Sequence, residues 1–240
     1  MDNKKVIEFY NEYVDQQQDV GINERIYEMY RRLKKQGLHP GSNILELGCG
    51  IGTLTYLLAK TVKSGCIESV DISTQSIEFA KQRLKQRNLY LEAHDVVDYI
   101  PKLKNIDFIT LFDVIEHIPM ERHDELFRNL AKIVNDKTVI LINIPSPAAI
   151  QYDIDNNPAA LQVIDQPLPI EFIVNNIVKN GLSLLSFENH SIWAENDYQF
   201  FIIGRNKKYT ENKLSSKRNF FEKVVNKIKR TFVQLRHRYK

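Results

Sequence analysis

Three side chains near the middle of the sequence have the types and the spacing needed for acid–base chemistry. Asp113, Glu116 and His117 are spaced i, i+3 and i+4, so a single helical turn would place all three on one face. Ile118 precedes a proline, which disfavours the helical conformation, so this turn must be short. Because histidine exchanges a proton near neutral pH, we predict that His117 is a general base with Asp113 and Glu116 beside it.

A cluster of glycines forms a second candidate site. The apolar residues 43–48 lead into Gly48, Gly50 and Gly52, and a helical pattern begins directly afterwards. Glycine is needed where φ is positive or where the backbone must approach a ligand closely, and a helix N-terminus offers free N–H groups to that ligand. Dinucleotide-binding turns have the spacing G-x-G-x-x-G, whereas here the third glycine comes one residue earlier. The spacing therefore disfavours a nicotinamide oxidoreductase.

Regular alternation of strand and helix patterns would position both sites. Helical patterns occupy residues 53–63, 73–86 and 120–134, between apolar runs fit for buried strands. This alternation predicts a parallel sheet with helices on both faces, and the carboxyl ends of its strands should carry the ligand site. The predicted strands are residues 43–48, 66–71, 89–94, 106–112 and 138–144.

The segments outside this alternation differ in character. Residues 4–17 and 23–36 have helical spacing, whereas residues 145–169 contain five prolines and predict a lid, a binding loop or disorder. A helix near 170–180 precedes two strands, 182–187 and 198–204, which we expect to be antiparallel neighbours. Polar and aromatic residues available to grip a substrate are Tyr10, Tyr13, Tyr152, Asp165, Gln166, His190 and Trp193.

The stretch Ile44-Leu-Glu-Leu-Gly-Cys-Gly-Ile-Gly-Thr53 resembles motif I of the class I S-adenosylmethionine-dependent methyltransferases. It is similar in particular to the branch that includes the ubiquinone-biosynthesis O-methyltransferases, and the likeness covers roughly residues 42–204. The resemblance implies a three-layer α/β/α Rossmann-like fold with a seven-stranded, mostly parallel sheet of order 3-2-1-4-5-7-6. We expect an N-terminal helical cap at 1–40, the methyltransferase domain at 41–205 and a basic amphipathic tail at 206–240.

The resemblance also implies S-adenosylmethionine as cofactor and S-adenosylhomocysteine as product. The glycines would make room for the methionine part of the cofactor, with Glu46 close by. Asp71, at a strand end, would accept hydrogen bonds from the ribose hydroxyls, and Asp95 would meet the adenine amino group. The expected cofactor-binding residues are Glu46, Gly48, Cys49, Gly50, Gly52, Asp71, Ile72, Asp95, Val96 and Phe112.

The segment from Asp113 to His117 also resembles the Glu-x-x-Glu-His metal site of some relatives. Two carboxylates and an imidazole could hold a divalent ion that acidifies a bound hydroxyl. Asp113 replaces the first Glu, however, and neither His123 nor His190 is supported as a fourth ligand, so no metal ligand is assigned. In a structural alternative Asp113 touches the cofactor, Glu116 makes a hydrogen bond and His117 packs. His123, beside two acids at a helix start, is expected at the solvated surface.

Charge is distributed unevenly along the chain. From Arg205 to Lys240 there are 13 Lys and Arg against 2 Glu, a net charge of +11, so the preceding residues carry −8 of the total +3. Residues 213–240 contain no Gly or Pro and have helical periodicity. The residues that fall within one arc of about 140° at the helical repeat are Phe220, Phe221, Val224, Val225, Ile228, Phe232, Leu235 and Tyr239.

A basic helix with an aromatic apolar face favours an anionic membrane surface as partner. Docking on the domain or on a partner helix, and RNA binding, are less favoured alternatives. No apolar stretch is long enough for a membrane span, no secretory signal is visible, and two cysteines form no disulfide framework. We therefore expect a cytoplasmic protein, peripheral at the inner membrane face.

The function expected from these observations is O-methylation of a small or lipid-linked acceptor, such as a glycan intermediate. A hydroxyl acceptor needs a base, which His117 would supply. Two alternatives stay open: an RNA methyltransferase that uses the basic tail, and a cofactor-binding protein without catalysis.

Overall fold

The computed structural model describes residues 3–211 and 217–237. The helices are α1 (Asn3–Glu12), α2 (Val14–Val20), α3 (Glu24–Lys35), α4 (Thr53–Thr61), α5 (Thr74–Arg83), α6 (His123–Ile133), α7 (Pro147–Asn156), α8 (Ile170–Lys179) and α9 (Phe220–His237). The strands are β1 (Ile44–Leu47), β2 (Ile67–Asp71), β3 (Leu89–Ala93), β4 (Phe108–Phe112), β5 (Val139–Pro145), β6 (Leu182–His190) and β7 (Tyr198–Arg205).

The seven strands form one sheet in the order β3-β2-β1-β4-β5-β7-β6, as expected. Only β7 is antiparallel to its neighbours β5 and β6, and the remaining strand pairs are parallel. Leu47 at the end of β1 pairs with Val70 of β2 and with Leu111 of β4. The carboxyl ends of these central strands therefore meet at one edge of the sheet, from which the next residues project.

Alternate residues of the central strands bury opposite faces of the sheet, which makes the fold a three-layer sandwich. On one face Ile109 and Ile142 pack in a core with Phe127 of α6 and Ile173 of α8. On the other face the core is formed by residues from α3, α4 and the intervening strand positions. Its members include Met29, Leu33, Leu54, Leu58, Phe108 and Leu141. Each fully buried large apolar side chain stabilises the fold by roughly 1.5–3 kcal/mol.

The first half of the proline-rich segment is helical, so its prediction as a loop without secondary structure was wrong there. Helix α7 begins at Pro147, and Ser146 caps it by accepting a hydrogen bond from Ala149 N (3.3 Å). Serine at the cap followed by proline at the first helical position is a favourable helix start. A single 3-10 turn follows at Pro158–Ala160, and residues 161–169 run without helix or strand to α8.

Two further predictions need correction. Asp113 has a left-handed φ of +55°, and only Ile115–His117 form a 3-10 turn, so the three acid–base residues do not share one helical face. His123 is fully buried rather than solvated, with Nε2 3.0 Å from the carbonyl oxygen of Ile118 and its ring against Phe172. Its spacing from the buried Leu126, Phe127 and Leu130 is the helical apolar pattern, which could have revealed its burial.

The chain forms two compact units, one that ends at Asn206 and one that begins at Lys207. Helices α1 to α3 belong to the same unit as the sheet. In the second unit the predicted basic helix is observed as α9, none of whose side chains is buried, while Lys213, Tyr239 and Lys240 lie outside the described residues. Within residues 3–211 and 217–237, no helix has both the length and the apolar character that crossing a membrane requires.

Candidate functional site

A cavity of about 260 Å³ lies at the carboxyl edge of the sheet, between the strand ends and helices α1 to α3. The structure brings most of the expected site residues to its walls, although Gly52 and Glu116 do not line it. Those that do are Glu46, Gly48, Cys49, Gly50, Asp71, Ile72, Asp95, Val96, Phe112, Asp113 and His117. Residues that are far apart in the sequence therefore line the same cavity, because the carboxyl ends of parallel strands meet at one edge of the sheet.

The glycine turn after β1 depends on glycine for two reasons. Gly48, Gly50 and Gly52 have φ values of +79°, +53° and +83°, which other residues rarely adopt. A Cβ on Gly48 would also lie 2.2 Å from Val114 Cγ2, and one on Gly52 would lie 2.9 Å from Leu84 Cδ1. At positions 48 and 52 the missing side chain therefore makes room for neighbouring protein atoms. At Gly50 the nearest atom would be Gln17 Oε1 of the cap, at 3.0 Å.

Glu46 is buried beside the glycine turn and is held by two hydroxyl groups. Thr55 Oγ1 and Ser69 Oγ both donate to Glu46 Oε2 at 2.6 Å. Burial nevertheless raises the pKa of Glu46 to about 7, because the charged form loses its hydration. Since both hydroxyl groups bind the same oxygen, Oε1 is the atom of this carboxyl group left for a ligand.

Asp71 fixes the glycine turn to the end of β2. Its Oδ2 accepts a hydrogen bond from Gly50 N (2.7 Å), and its Oδ1 accepts one from Ser73 N (2.9 Å). Burial raises the pKa of this carboxyl, although the two backbone donors oppose that shift. A carboxylate oxygen can accept more than one hydrogen bond, so each oxygen of Asp71 can also accept a hydrogen bond from a ligand in the cavity.

Asp95, after β3, already has two partners. Its Oδ1 accepts from Val97 N (3.0 Å), and its Oδ2 is 2.6 Å from Arg122 Nη1 in an ion pair. Ile72 and Val96 lie on the same cavity wall as Asp95 and add apolar surface next to its charge. This end of the cavity therefore combines a carboxylate acceptor with apolar side chains.

His117 is the imidazole of the cavity, and its two ring nitrogens have different surroundings. Nδ1 is 2.6 Å from the carbonyl oxygen of Ile164 and 3.1 Å from Asp165 Oδ1. The nearest acid to Nε2 is Glu116 Oε1, at 3.8 Å, which is beyond hydrogen-bond distance. Burial by itself would lower the pKa of His117, but Glu116, Asp165 and the Ile164 carbonyl outweigh it and raise the pKa to about 9.

The two acids that precede His117 are both buried but differ in their partners. Asp113 Oδ2 is 3.3 Å from Arg25 Nε of helix α3. Glu116 is fully buried, and neither of its carboxyl oxygens has a hydrogen-bond partner in the described part of the chain. Desolvation therefore raises the pKa of Glu116 to about 8, although the neighbouring His117 opposes that shift.

The N-terminal helices supply three residues to the site. Tyr10 was among the residues that the sequence offered as substrate contacts, whereas Gln17 and Arg25 were not identified. Tyr10 of α1 has a buried hydroxyl group without a partner in the described residues, and its ring centroid is 6.2 Å from that of His117. Gln17 covers Gly50, and Arg25 is the partner of Asp113. Their positions in amphipathic helices gave no local signal of a cavity, because each stands among ordinary surface residues of its helix.

The arrangement of these acids also bears on metal binding. Among residues 3–211 and 217–237, no group of three or more His, Cys, Asp or Glu side chains is arranged so that it could hold a metal ion. His190, considered in the sequence as a fourth ligand, instead bonds to Asn143 Oδ1 at 2.8 Å.

Known proteins resemble this chain in both sequence and fold. A family model described as a methyltransferase domain matches residues 38–205. Over 96 residues the chain is 28% identical to the ubiquinone biosynthesis O-methyltransferase of Coxiella burnetii, a match that spans 39% of each protein. The chain thus covers about two fifths of that relative's length.

Solved structures extend the likeness to the whole fold. Magnesium protoporphyrin IX methyltransferase from Synechocystis, solved with S-adenosylhomocysteine, matches with a TM-score of 0.66 and 15% identity over 85% of this chain and 100% of its own. An S-adenosylmethionine-dependent methyltransferase from Clostridium acetobutylicum matches with a TM-score of 0.61 and 14% identity over 85% and 99%. The family match rests on more than half of the residues, and the strand order agrees with it. The chain belongs to the class I S-adenosylmethionine-dependent methyltransferase family.

Proposed function

We propose that this protein transfers a methyl group from S-adenosylmethionine to a hydroxyl oxygen of a small or lipid-linked acceptor. The observation that carries this proposal is the cavity, where the glycine turn and the acids at the strand ends share one space with His117. The glycine turn and the strand-end acids suit a nucleoside that carries a sulfonium group. His117, in the same cavity, is suited to accept a proton.

The cofactor would lie along the carboxyl edge of the sheet. Asp71 would accept hydrogen bonds from the ribose hydroxyls, and Asp95 would receive the adenine amino group with Ile72 and Val96 against the ring. Glu46 also lines the cavity, and its Oε1 would receive the ammonium group of the methionine part. Both arginines of the cavity are in ion pairs, Arg122 with Asp95 and Arg25 with Asp113. Because Asp95 would meet the adenine, Arg122 belongs to the adenine end, and Arg25 would be the cation for the methionine carboxylate.

His117 would perform the proton transfer. S-adenosylmethionine supplies an electrophilic methyl group, and a hydroxyl acceptor must lose its proton as its oxygen attacks that carbon. Nε2 of His117 has no hydrogen-bond partner within the described residues and lies at the cavity wall, so it can accept this proton. Tyr10, whose hydroxyl also has no such partner, is placed to contact the acceptor.

The experiment that tests the function has two stages. Calorimetry should show that S-adenosylhomocysteine binds and that NAD does not. The reason is that the glycine spacing and the strand-end acids suit S-adenosylhomocysteine. A screen of phenols, sugars and lipid-linked glycans with methyl-labelled cofactor should then transfer label to at least one hydroxylated acceptor. Binding of NAD without S-adenosylhomocysteine would overturn the proposal, and cofactor binding without transfer to any acceptor class would favour a non-catalytic protein.

We also propose that helix α9 attaches the enzyme to an anionic membrane surface. The apolar side chains of one arc, centred near Ile228, include three phenylalanines within Phe220–His237. Cationic residues such as Lys223, Lys227 and Arg230 lie outside this arc. Burial of aromatic side chains and attraction to anionic headgroups act together on such a helix, whereas phosphate contacts with RNA would not need the apolar arc.

Two substitutions in α9 separate membrane binding from its alternatives. At about 100° per residue, Ile228 lies near the centre of the apolar arc and Val233 on the opposite side, while their exposed fractions are similar, 62% and 55%. Ile228→Asp should abolish co-sedimentation with vesicles of equal parts phosphatidylcholine and phosphatidylglycerol, and Val233→Asp, with the same change in charge, should retain it. Equal behaviour of the two variants, or RNA binding with no vesicle binding, would contradict this proposal.

A further inference from the structure

The segment that follows the 3-10 turn at Pro158–Ala160 is tied to the turn that carries His117. Gln166 N and Gln166 Nε2 both donate to the carbonyl oxygen of Glu116 at 3.2 Å, and Nε2 also donates to that of Ile118 at 2.7 Å. Leu168, two residues later, is buried in the core. Residues 164–166 are therefore held beside His117 by contacts that do not involve the imidazole itself.

Asp165 belongs to this segment, and its two carboxyl oxygens contact different groups. Its Oδ2 accepts a hydrogen bond from Gln162 N at 2.6 Å, which fixes the orientation of the carboxyl group. Its Oδ1 is then 3.1 Å from His117 Nδ1. The side chains of His117 and Asp165 are only 11% and 12% exposed, so water competes little for this contact.

The surroundings of Nδ1 determine which ring nitrogen carries the proton. The Ile164 carbonyl oxygen, at 2.6 Å, and the Asp165 carboxylate can only accept hydrogen bonds, so Nδ1 must be the donor. In a neutral imidazole the other nitrogen then has the lone pair. Nε2 of this cavity-lining imidazole is thus the basic atom.

We propose that Asp165 is the positioning residue of His117: it holds the imidazole in the Nδ1–H tautomer and thereby directs the basic Nε2 toward the acceptor. This role deepens the proposed methyl transfer and rests on it, because the base matters only if a hydroxyl group is methylated. After the acceptor proton reaches Nε2, the Asp165 carboxylate faces an imidazolium and stabilises its charge. A carboxylate on Nδ1 serves a catalytic histidine in this way in other enzymes.

Nitrogen NMR of the full-length protein with isotopically labelled histidine tests the proposal without an acceptor. The signals of His117 among the six histidines are assigned by their loss in His117→Gln. Above the His117 pKa of about 9, where the imidazole is neutral, we expect the wild-type protein to populate the Nδ1–H tautomer almost alone. In Asp165→Ala the Ile164 carbonyl remains as an acceptor of Nδ1–H, so the ratio of the Nδ1–H to the Nε2–H tautomer should fall by about 10-fold, the lower end of the value of a hydrogen bond to a charged group.

A conservative variant and a matched control distinguish positioning from simple support of the segment. Asp165→Asn keeps an oxygen near Nδ1 but removes the charge. It should preserve the tautomer while the pH midpoint of Nε2 protonation falls by about 1 unit. The other groups that face His117, Asp113, Glu116 and Tyr10, are unchanged in this variant. Gln166→Ala removes the two side-chain hydrogen bonds, but the bond from the backbone N of residue 166 to the Glu116 carbonyl and the buried Leu168 still hold the segment, so the tautomer and the midpoint should stay as in the wild type.

The outcomes are separable from those of the proposed function. An unaltered tautomer ratio in Asp165→Ala, or the same change in Gln166→Ala, would overturn the positioning role. S-adenosylhomocysteine is titrated into the same samples by calorimetry. If it binds while the tautomer results fail, only the role of Asp165 is lost; if it does not bind the wild-type protein, the methyl-transfer proposal itself fails.

Discussion

Replacement of Asp71 by alanine is expected to weaken S-adenosylhomocysteine binding by about 10²–10⁴-fold. Two hydrogen bonds from ribose hydroxyls to a carboxylate are each worth roughly 1.5–3 kcal/mol, and their loss accounts for that range. The substitution also removes the acceptors of Gly50 N and Ser73 N, which loosens the glycine turn on the cofactor side. Isothermal titration calorimetry with S-adenosylhomocysteine measures the effect directly.

Asp98→Ala provides the matched control for Asp71→Ala. Asp98 follows β3 near the same edge of the sheet, but it is more than half exposed and does not line the cavity. Its removal should leave S-adenosylhomocysteine affinity within experimental error of the wild type. A folded Asp71→Ala protein that binds as tightly as the Asp98→Ala protein would refute the ribose-binding role.

Replacement of His117 by alanine is expected to lower turnover by about 10²–10⁴-fold, the usual contribution of a general base. Affinity for S-adenosylhomocysteine should stay the same, because the imidazole is placed for the acceptor and not for the cofactor. The measurement is transfer of labelled methyl to a responsive hydroxyl acceptor, with cofactor binding followed in parallel by calorimetry. His39→Ala, which changes an exposed histidine before β1, should retain wild-type turnover.

The pH dependence of turnover follows from the state of the same imidazole. A base is active when deprotonated, and the neighbouring carboxyl groups raise the pKa of His117 to about 9. At neutral pH only the minor, neutral form accepts a proton, so kcat/KM should rise with pH and level off above about 9. The slope should disappear in His117→Ala. A wild-type profile that is flat between neutral pH and this value would exclude His117 as the base.

Much of the fold could be predicted from local patterns in the sequence. The strands β1, β4 and β5 were identified because most of their residues are apolar, as buried parallel strands require, and β2 because it fits the alternation of strands and helices. The strand order came from the resemblance carried by the glycine motif, and the sheet confirms it. Helix α7 was missed because the count of prolines outweighed the cap formed by Ser146 and Pro147.

The candidate site could be predicted only where it lies directly after a strand. Glu46, Gly48, Asp71 and Phe112 reach the cavity because the carboxyl ends of parallel strands share one edge, a consequence of topology that needs no detailed packing. No such rule applies to residues in the N-terminal helices that cover the cavity. Tyr10 and Arg25 reach the cavity through the docking of α1 and α3, which depends on how whole helices pack.

The sequence by itself therefore determined the order of the secondary-structure elements, the glycine turn and the acids at the strand ends, since each follows from neighbours within a few positions. The tertiary structure decided the chemistry of His117. Its partner Ile164 is 47 residues away in the chain, and Asp165 lies beside it. Such contacts arise only when the chain has packed, and the same packing buries Glu116 and brings the imidazole to the cavity. A local pattern identified the imidazole, but only the folded chain determined which of its nitrogens is the base.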